Sequence, residues 1–61
     1  MKKKRNIREF LVRIVEARDY QTACEQVFYG EDGIDMAFQR DEISWDDHQL
    51  LLRVIALLPE R

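Results

Sequence analysis

The chain has 61 residues, of which 46% are apolar and 36% are charged. A chain of this length forms one domain that buries only about 60% of its unfolded surface, so its stability is marginal without further support. The single cysteine excludes an intramolecular disulfide, which leaves good helix packing or self-association as the source of stability.

The charge is distributed unevenly along the chain. Residues 1–18 carry seven basic and two acidic side chains, a net charge of +5, whereas the remainder carries three basic and ten acidic side chains, a net charge of −7. The overall net charge is only −2, but such asymmetry between the parts of a chain indicates a charged partner.

The sequence predicts neither a signal peptide nor a membrane span. A signal peptide has an uninterrupted apolar segment after its basic N-terminus, whereas here Arg8 and Arg13 interrupt the apolar residues. The apolar segments 50–52 and 54–58 are much shorter than the roughly 20 residues that cross a bilayer. Because a lone cysteine also fits a reducing compartment, we expect a cytoplasmic protein with no membrane partner.

The first amphipathic pattern predicts a helix from Asn6 to about Arg18. Apolar residues recur there at positions i, i+3, i+4, i+7 and i+8, which places them on one helical face. These residues are Ile7, Phe10, Leu11, Ile14 and Val15. We expect residues 1–5 to form a flexible basic tail on a single helical domain of residues 6–61.

A second helix is predicted after Asp19, which can cap its N-terminus. The same apolar spacing returns in Tyr20, Ala23, Cys24, Val27 and Phe28. Gly30 supplies a stop, and Tyr29 projects away from the apolar stripe, towards solvent or a partner. The short connection to the first helix requires a sharp reversal, as in an αα-hairpin.

The segment 34–40 follows an acidic turn and fits two interpretations. As a helix it places Ile34 and Phe38 on one face and directs Met36 outward, whereas as a strand all three residues share one face. We favour a short helix, because an isolated strand has no pairing partner in a helical chain. Asp41 then ends the helix, since Asp tolerates the left-handed conformation.

The last helix, about 44–58, is the element around which the chain is organised. Ser44 is a predicted N-cap, and Pro59 cannot continue the helix. The helix is apolar around most of its circumference, so we expect it to be the centre of a compact all-α bundle of three to four short helices. Its predicted uncovered residues, and hence a possible homodimer contact, are Leu50, Val54, Leu57 and Leu58.

No residue pattern indicates an enzyme. His48 is predicted to pack its ring at the edge of the apolar side of the last helix, and Cys24 lies within an apolar stripe. Nucleotide-binding, metalloprotease and hydrolase motifs are absent, and the turn at 31–35 lacks the ligand spacing of an EF-hand. We therefore expect no catalytic residues, no metal site and no cofactor.

The acidic residues between positions 31 and 47 are the first candidate binding site. They are Glu31, Asp32, Asp35, Asp41, Glu42, Asp46 and Asp47. Such carboxylates commonly cap helices and keep a small protein soluble, but together they can also match a basic surface of a larger protein or ribonucleoprotein. Tyr29 and Met36 favour the second interpretation, because outward aromatic and methionine side chains are typical of interfaces.

The basic N-terminus is the second candidate, for binding nucleic acid. Lys2, Lys3, Lys4, Arg5 and Arg8 could contact phosphates in a helical DNA-binding regulator. The sequence favours this alternative less, because the later helices offer few side chains that read base edges.

The leading hypothesis is a non-enzymatic protein that acts by masking a surface of a larger macromolecule. Small phage or mobile-element inhibitors of host machinery, anti-CRISPR proteins among them, act in this general way. The comparison rests on size and character and on no shared motif.

Overall fold

Helices form all the regular secondary structure within residues 4–60, which are the residues that the computed structural model describes. The four α-helices are α1 (Arg8–Ala17), α2 (Tyr20–Ala23), α3 (Ile34–Gln39) and α4 (Trp45–Ala56), and a π-helical turn (Cys24–Phe28) continues α2. The predicted all-α fold is confirmed, as is the helical interpretation of the segment after the acidic turn.

Side-chain caps define the beginnings of two helices, as predicted. The Asp19 carboxylate accepts the Thr22 backbone N–H at 2.8 Å, and the Ser44 hydroxyl oxygen accepts that of Asp47 at 3.1 Å. Each cap satisfies a backbone donor that has no partner within the first turn. Asp41 adopts the predicted left-handed conformation, with φ 62°. Helix α4 ends at Ala56, two residues before the predicted end.

The turn after the π-helical segment depends on a close approach of backbones. The Tyr29 N–H donates to the Cys24 carbonyl at 2.9 Å, the five-residue spacing that defines a π-helix. A Cβ atom on Gly33 would lie 2.6 Å from the Val27 carbonyl oxygen and 2.7 Å from that of Phe28. Glycine is therefore required at position 33 for steric reasons. It is not required for its backbone conformation, since neither glycine of the chain has a positive φ.

Helices α1 and α4 run parallel and are tied together at both ends. Before the two helices, the Arg5 N–H donates to the Glu42 carbonyl at 2.8 Å. After them, the Tyr20 N–H donates to the Pro59 carbonyl, also at 2.8 Å. One bond joins the two N-terminal ends and the other joins the two C-terminal ends. The two helices therefore run in the same direction.

Apolar side chains from every helix form one core. The buried members are Phe10, Ile14, Ala23, Val27, Phe28, Ile34, Ala37, Ile43, Leu51 and Ile55. Helix α4 contacts α1, α2 and α3, which confirms its predicted central position. Its buried face consists of His48, Leu51 and Ile55.

The apolar stripes are narrower than the sequence indicates. Val15 was assigned to the buried face of α1 but is 69% exposed, and Tyr20 at the start of α2 is also exposed. Helix α4 likewise buries one face only, and Leu52 is exposed. The small core has ten buried apolar side chains among residues 4–60, too few to cover a second flank of either long helix.

Replacement of Leu51 by Ala should destabilise the fold far more than the same change at Leu57. Leu51 is fully buried, so its loss leaves a cavity that costs about 2–5 kcal/mol. Leu57 is 84% exposed, and its truncation should cost less than about 0.5 kcal/mol. Urea unfolding at a protein concentration too low for association measures both values, and equal losses would contradict the observed burial.

Candidate functional site

The acidic turn is held on α1 by two arginines. Arg5 donates from Nη1 to Asp32 Oδ1 at 2.6 Å and from Nη2 to Oδ2 at 3.2 Å, in a bidentate pair. Arg13 donates to the backbone carbonyls of Asp32 and Gln26, each at 3.0 Å. Both guanidinium groups lie over the Phe10 ring, 4.8 and 5.8 Å from its centroid. Part of the basic charge of α1 is thus bound within the fold.

These contacts shift the pKa values of both partners in the directions that favour their charged forms. The hydrogen bond from Arg5 is the main reason why the pKa of Asp32 lies below its usual value, and Arg13 and Arg40 act in the same direction. The same hydrogen bond raises the pKa of Arg5. Arg5 also pairs with Glu9 and lies 3.6 Å from a Glu42 carboxylate oxygen.

The predicted acidic site therefore divides into two parts. Asp32 and Glu42 face Arg5, so they serve the fold. Glu31, Asp41 and Asp46 have exposed side chains, whereas Asp35 and Asp47 are half-buried. Asp35 accepts a hydrogen bond from Gln39 one turn further along α3, at 3.0 Å. The carboxylates other than Asp32 and Glu42 are thus those that a partner can reach, and Asp35, Asp46 and Asp47 among them lie on α3 and in the first turn of α4.

A row of aromatic rings connects two exposed side chains through the interior. The Tyr29 ring packs edge-on against Phe28 with centroids 4.7 Å apart, and Phe28 lies 5.4 Å from the His48 ring. His48 stacks on Trp45 at 5.7 Å, and Phe38 contacts both of these rings. Buried rings therefore support Tyr29 and Trp45 from behind.

Tyr29 and Trp45 are the ends of this row and are 70% and 59% exposed. The outward direction of Tyr29 is confirmed, whereas Met36 is half-buried instead of pointing outward. The sequence pattern does not distinguish Trp45 from the other apolar residues of α4, so it did not predict Trp45 as a surface residue. Its position directly after the Ser44 cap is the available signal, because a first-turn residue precedes the packed part of a helix.

We name these residues the acidic aromatic surface: Asp35, Trp45, Asp46 and Asp47. Tyr29 lies elsewhere, in a cavity that it lines together with Glu25 and Glu60. Asp46 and Asp47 directly follow Trp45 in the first turn of α4. Asp35 lies on α3 three residues before Phe38, whose ring is 5.8 Å from that of Trp45. The large exposed ring of Trp45 thus lies beside carboxylates, an arrangement typical of an interface.

The residues predicted for self-association do not share one environment. Leu50 and Leu57 are exposed, whereas Val54 and Leu58 are half-buried and pack against the core. The expectation that all four remain uncovered is therefore wrong for Val54 and Leu58, which the fold uses.

The residues predicted to bind nucleic acid are also divided. Lys4 and Arg8 are exposed, and Arg5 is held by carboxylates as described above. Lys2 and Lys3 lie outside the described residues. Lys4 and Arg8 are thus the described members of this group that have exposed side chains.

A cavity of about 410 Å³ lies beside Cys24 and is lined by Tyr20, Tyr29 and Glu60 among others. A hydrogen bond with the Cys24 side chain is the main reason why the pKa of Tyr20 is raised.

The part of the chain from residue 4 to residue 60 contains no group of three or more metal-ligating side chains. Over the same range, no helix is both long and apolar enough to span a membrane.

Comparison of the chain with protein-family models, with curated proteins and with solved structures returned no match.

Replacement of Asp32 by Asn should lower the free energy of unfolding at pH 7 by up to about 1 kcal/mol, the range of exposed ion pairs. Because the pKa of Asp32 is lowered in the fold, its ion pair stabilises the protein above the usual carboxyl pKa of about 4. That contribution is lost as the pH falls through the lowered pKa of the folded state.

The difference between wild type and the Asp32→Asn variant should therefore shrink on acidification below about pH 4. Denaturant unfolding across this range measures it, with Glu31→Gln as the control because Glu31 is the exposed neighbour in the same turn. A difference that is constant with pH would contradict the role of the Arg5 pair.

Proposed function

We propose that this chain is a non-enzymatic interaction protein that masks a basic surface of a larger protein or ribonucleoprotein. The acidic aromatic surface makes the contact. The observation that carries the proposal is the exposed ring of Trp45, which is backed by His48 and Phe38 and followed directly by Asp46 and Asp47.

The packing of the Trp45 ring favours binding. Trp45 contacts both His48 and Phe38, so its exposed ring is already restricted before a partner arrives. A restricted side chain loses little conformational entropy on binding. Tyr and Trp are also the residue types that most often dominate the energy of an interface.

The charge next to the Trp45 ring favours a basic partner. Within residues 4–60, no ion pair engages Asp35, Asp46 or Asp47. Their negative charge can therefore attract a positive surface, increase the association rate and exclude acidic partners. A nucleic-acid channel of a host protein is one such surface, because it is lined by Lys and Arg.

The biological class follows from this mode of action. A small chain that occupies a basic functional surface would act as an inhibitor, and we place it in the cytoplasm with the small inhibitors that phages and mobile elements direct against host machinery. Anti-CRISPR proteins are one group of that kind. The enzymatic alternative has no catalytic constellation to support it.

Capture experiments should depend on the acidic aromatic surface. Trp45→Ala, or Asp46→Lys in a separate variant, should lower recovery of a basic partner from host lysate at least tenfold, since loss of a dominant contact costs about 1.4 kcal/mol or more. Glu25→Lys is the matched control, because it makes the same charge change at an exposed site on the π-helical turn. Quantitative mass spectrometry measures the recovery. If each captured protein is recovered equally with all variants, the proposed surface is wrong.

The nucleic-acid alternative predicts different behaviour. Binding to duplex DNA that falls steeply with salt and disappears on deletion of residues 1–5 would support it against the masking function. We expect no measurable binding at low salt, because Arg5 and Arg13 are held within the fold. A fluorescence anisotropy titration of a labelled duplex decides between the two.

A further inference from the structure

The outward side of α1 is apolar at its centre, unlike the rest of the surface of that helix. Val12 and Val15 are 51% and 69% exposed, and Leu11 beside them is half-buried. A shallow groove of about 410 Å³ covers this side, with Arg8 at one end and Glu16 at the other. This side of α1 differs from the usual amphipathic pattern, in which the polar residues of a helix face solvent.

Arg8 and Glu16 cannot neutralise each other within one chain. Each lies four residues from Val12, so along the helix they are separated by about 12 Å. In the part of the chain that the structure describes, neither side chain forms an ion pair. The side of α1 therefore carries a positive end, an apolar centre and a negative end.

We infer that this side of α1 binds a second copy of the same chain. A two-fold axis through Val12 places α1 antiparallel to its copy, with Val12 against Val12 at the centre. Arg8 of each chain then lies beside Glu16 of the other. The same patch is complementary to itself in both shape and charge, which is the requirement for a closed symmetric dimer.

Helix α4 also exposes apolar side chains. Leu50 and Leu57 are 46% and 84% exposed. Asp46 of the acidic aromatic surface lies four residues before Leu50 and therefore on the same face of α4. The groove on α1 is lined by residues of α1 alone, so the inference does not depend on the proposed function.

Sedimentation equilibrium with charge-exchanged variants tests the inference. Wild type should change from the 7.4 kDa monomer to twice that mass with rising concentration. Arg8→Glu and Glu16→Arg should each raise the dimer dissociation constant at least tenfold, because each brings like charges together at both ends of the pair. Both positions are exposed, so the fold should be retained, as circular dichroism can verify.

An equimolar mixture of the two variants is the decisive sample. Arg8→Glu presents two acidic ends and Glu16→Arg two basic ends, so the mixture should form a heterodimer as stable as the wild-type dimer. Val12→Asp should abolish the dimer, and Trp45→Ala should leave it unchanged. A wild type that is monomeric at all concentrations would overturn the inference. A mixture that remains monomeric, or a dimer that Leu57→Asp dissociates and Val12→Asp does not, would also overturn it.

Discussion

The contact of Arg5 and Arg13 with the turn at Asp32 fixes the position of the acidic turn relative to the start of the chain and α1. It joins the start of the chain to the turn between the π-helical segment and α3, across the Phe10 ring. Because Arg5 also bonds through its backbone to Glu42, the same residue fixes the N-terminal end of α1 beside that of α4. This backbone bond, together with that between Tyr20 and Pro59, sets the parallel direction of the two long helices.

The same contact determines which charges remain for a partner. The chain combines a basic first part with an acidic remainder, and the fold brings two of the arginines onto the acidic turn. The negative charge that remains next to an exposed ring lies in the first turn of α4, beside Trp45. Folding thus converts the difference in charge between the two parts of the sequence into a difference between two surfaces of the protein. One is acidic and carries Trp45, and the other is the apolar side of α1.

The sequence was sufficient wherever the signal is local. The Asp19 and Ser44 caps, the helices they begin and the central position of α4 follow from spacing and capping chemistry within a few residues. The exposure of Val15 was not predictable, because a helical period identifies a face but not how much of it neighbouring helices cover. The binding of Arg5 to Asp32, 27 residues away, depends on the three-dimensional arrangement of elements. The sequence therefore placed Arg5 in a basic tail, because the carboxylates that it contacts, those of Asp32 and Glu42, lie far along the chain.

Trp45 offers the most direct test of the claim that the acidic aromatic surface meets a partner. It is the single tryptophan of the chain, so intrinsic fluorescence reports on this surface through one residue. Acrylamide quenching is measured on the chain alone and in complex with the captured basic protein, once any tryptophan of that partner has been replaced by phenylalanine. The account predicts a blue-shifted emission and at least a threefold weaker quenching in the complex. Equal emission and equal quenching in the two samples would contradict it.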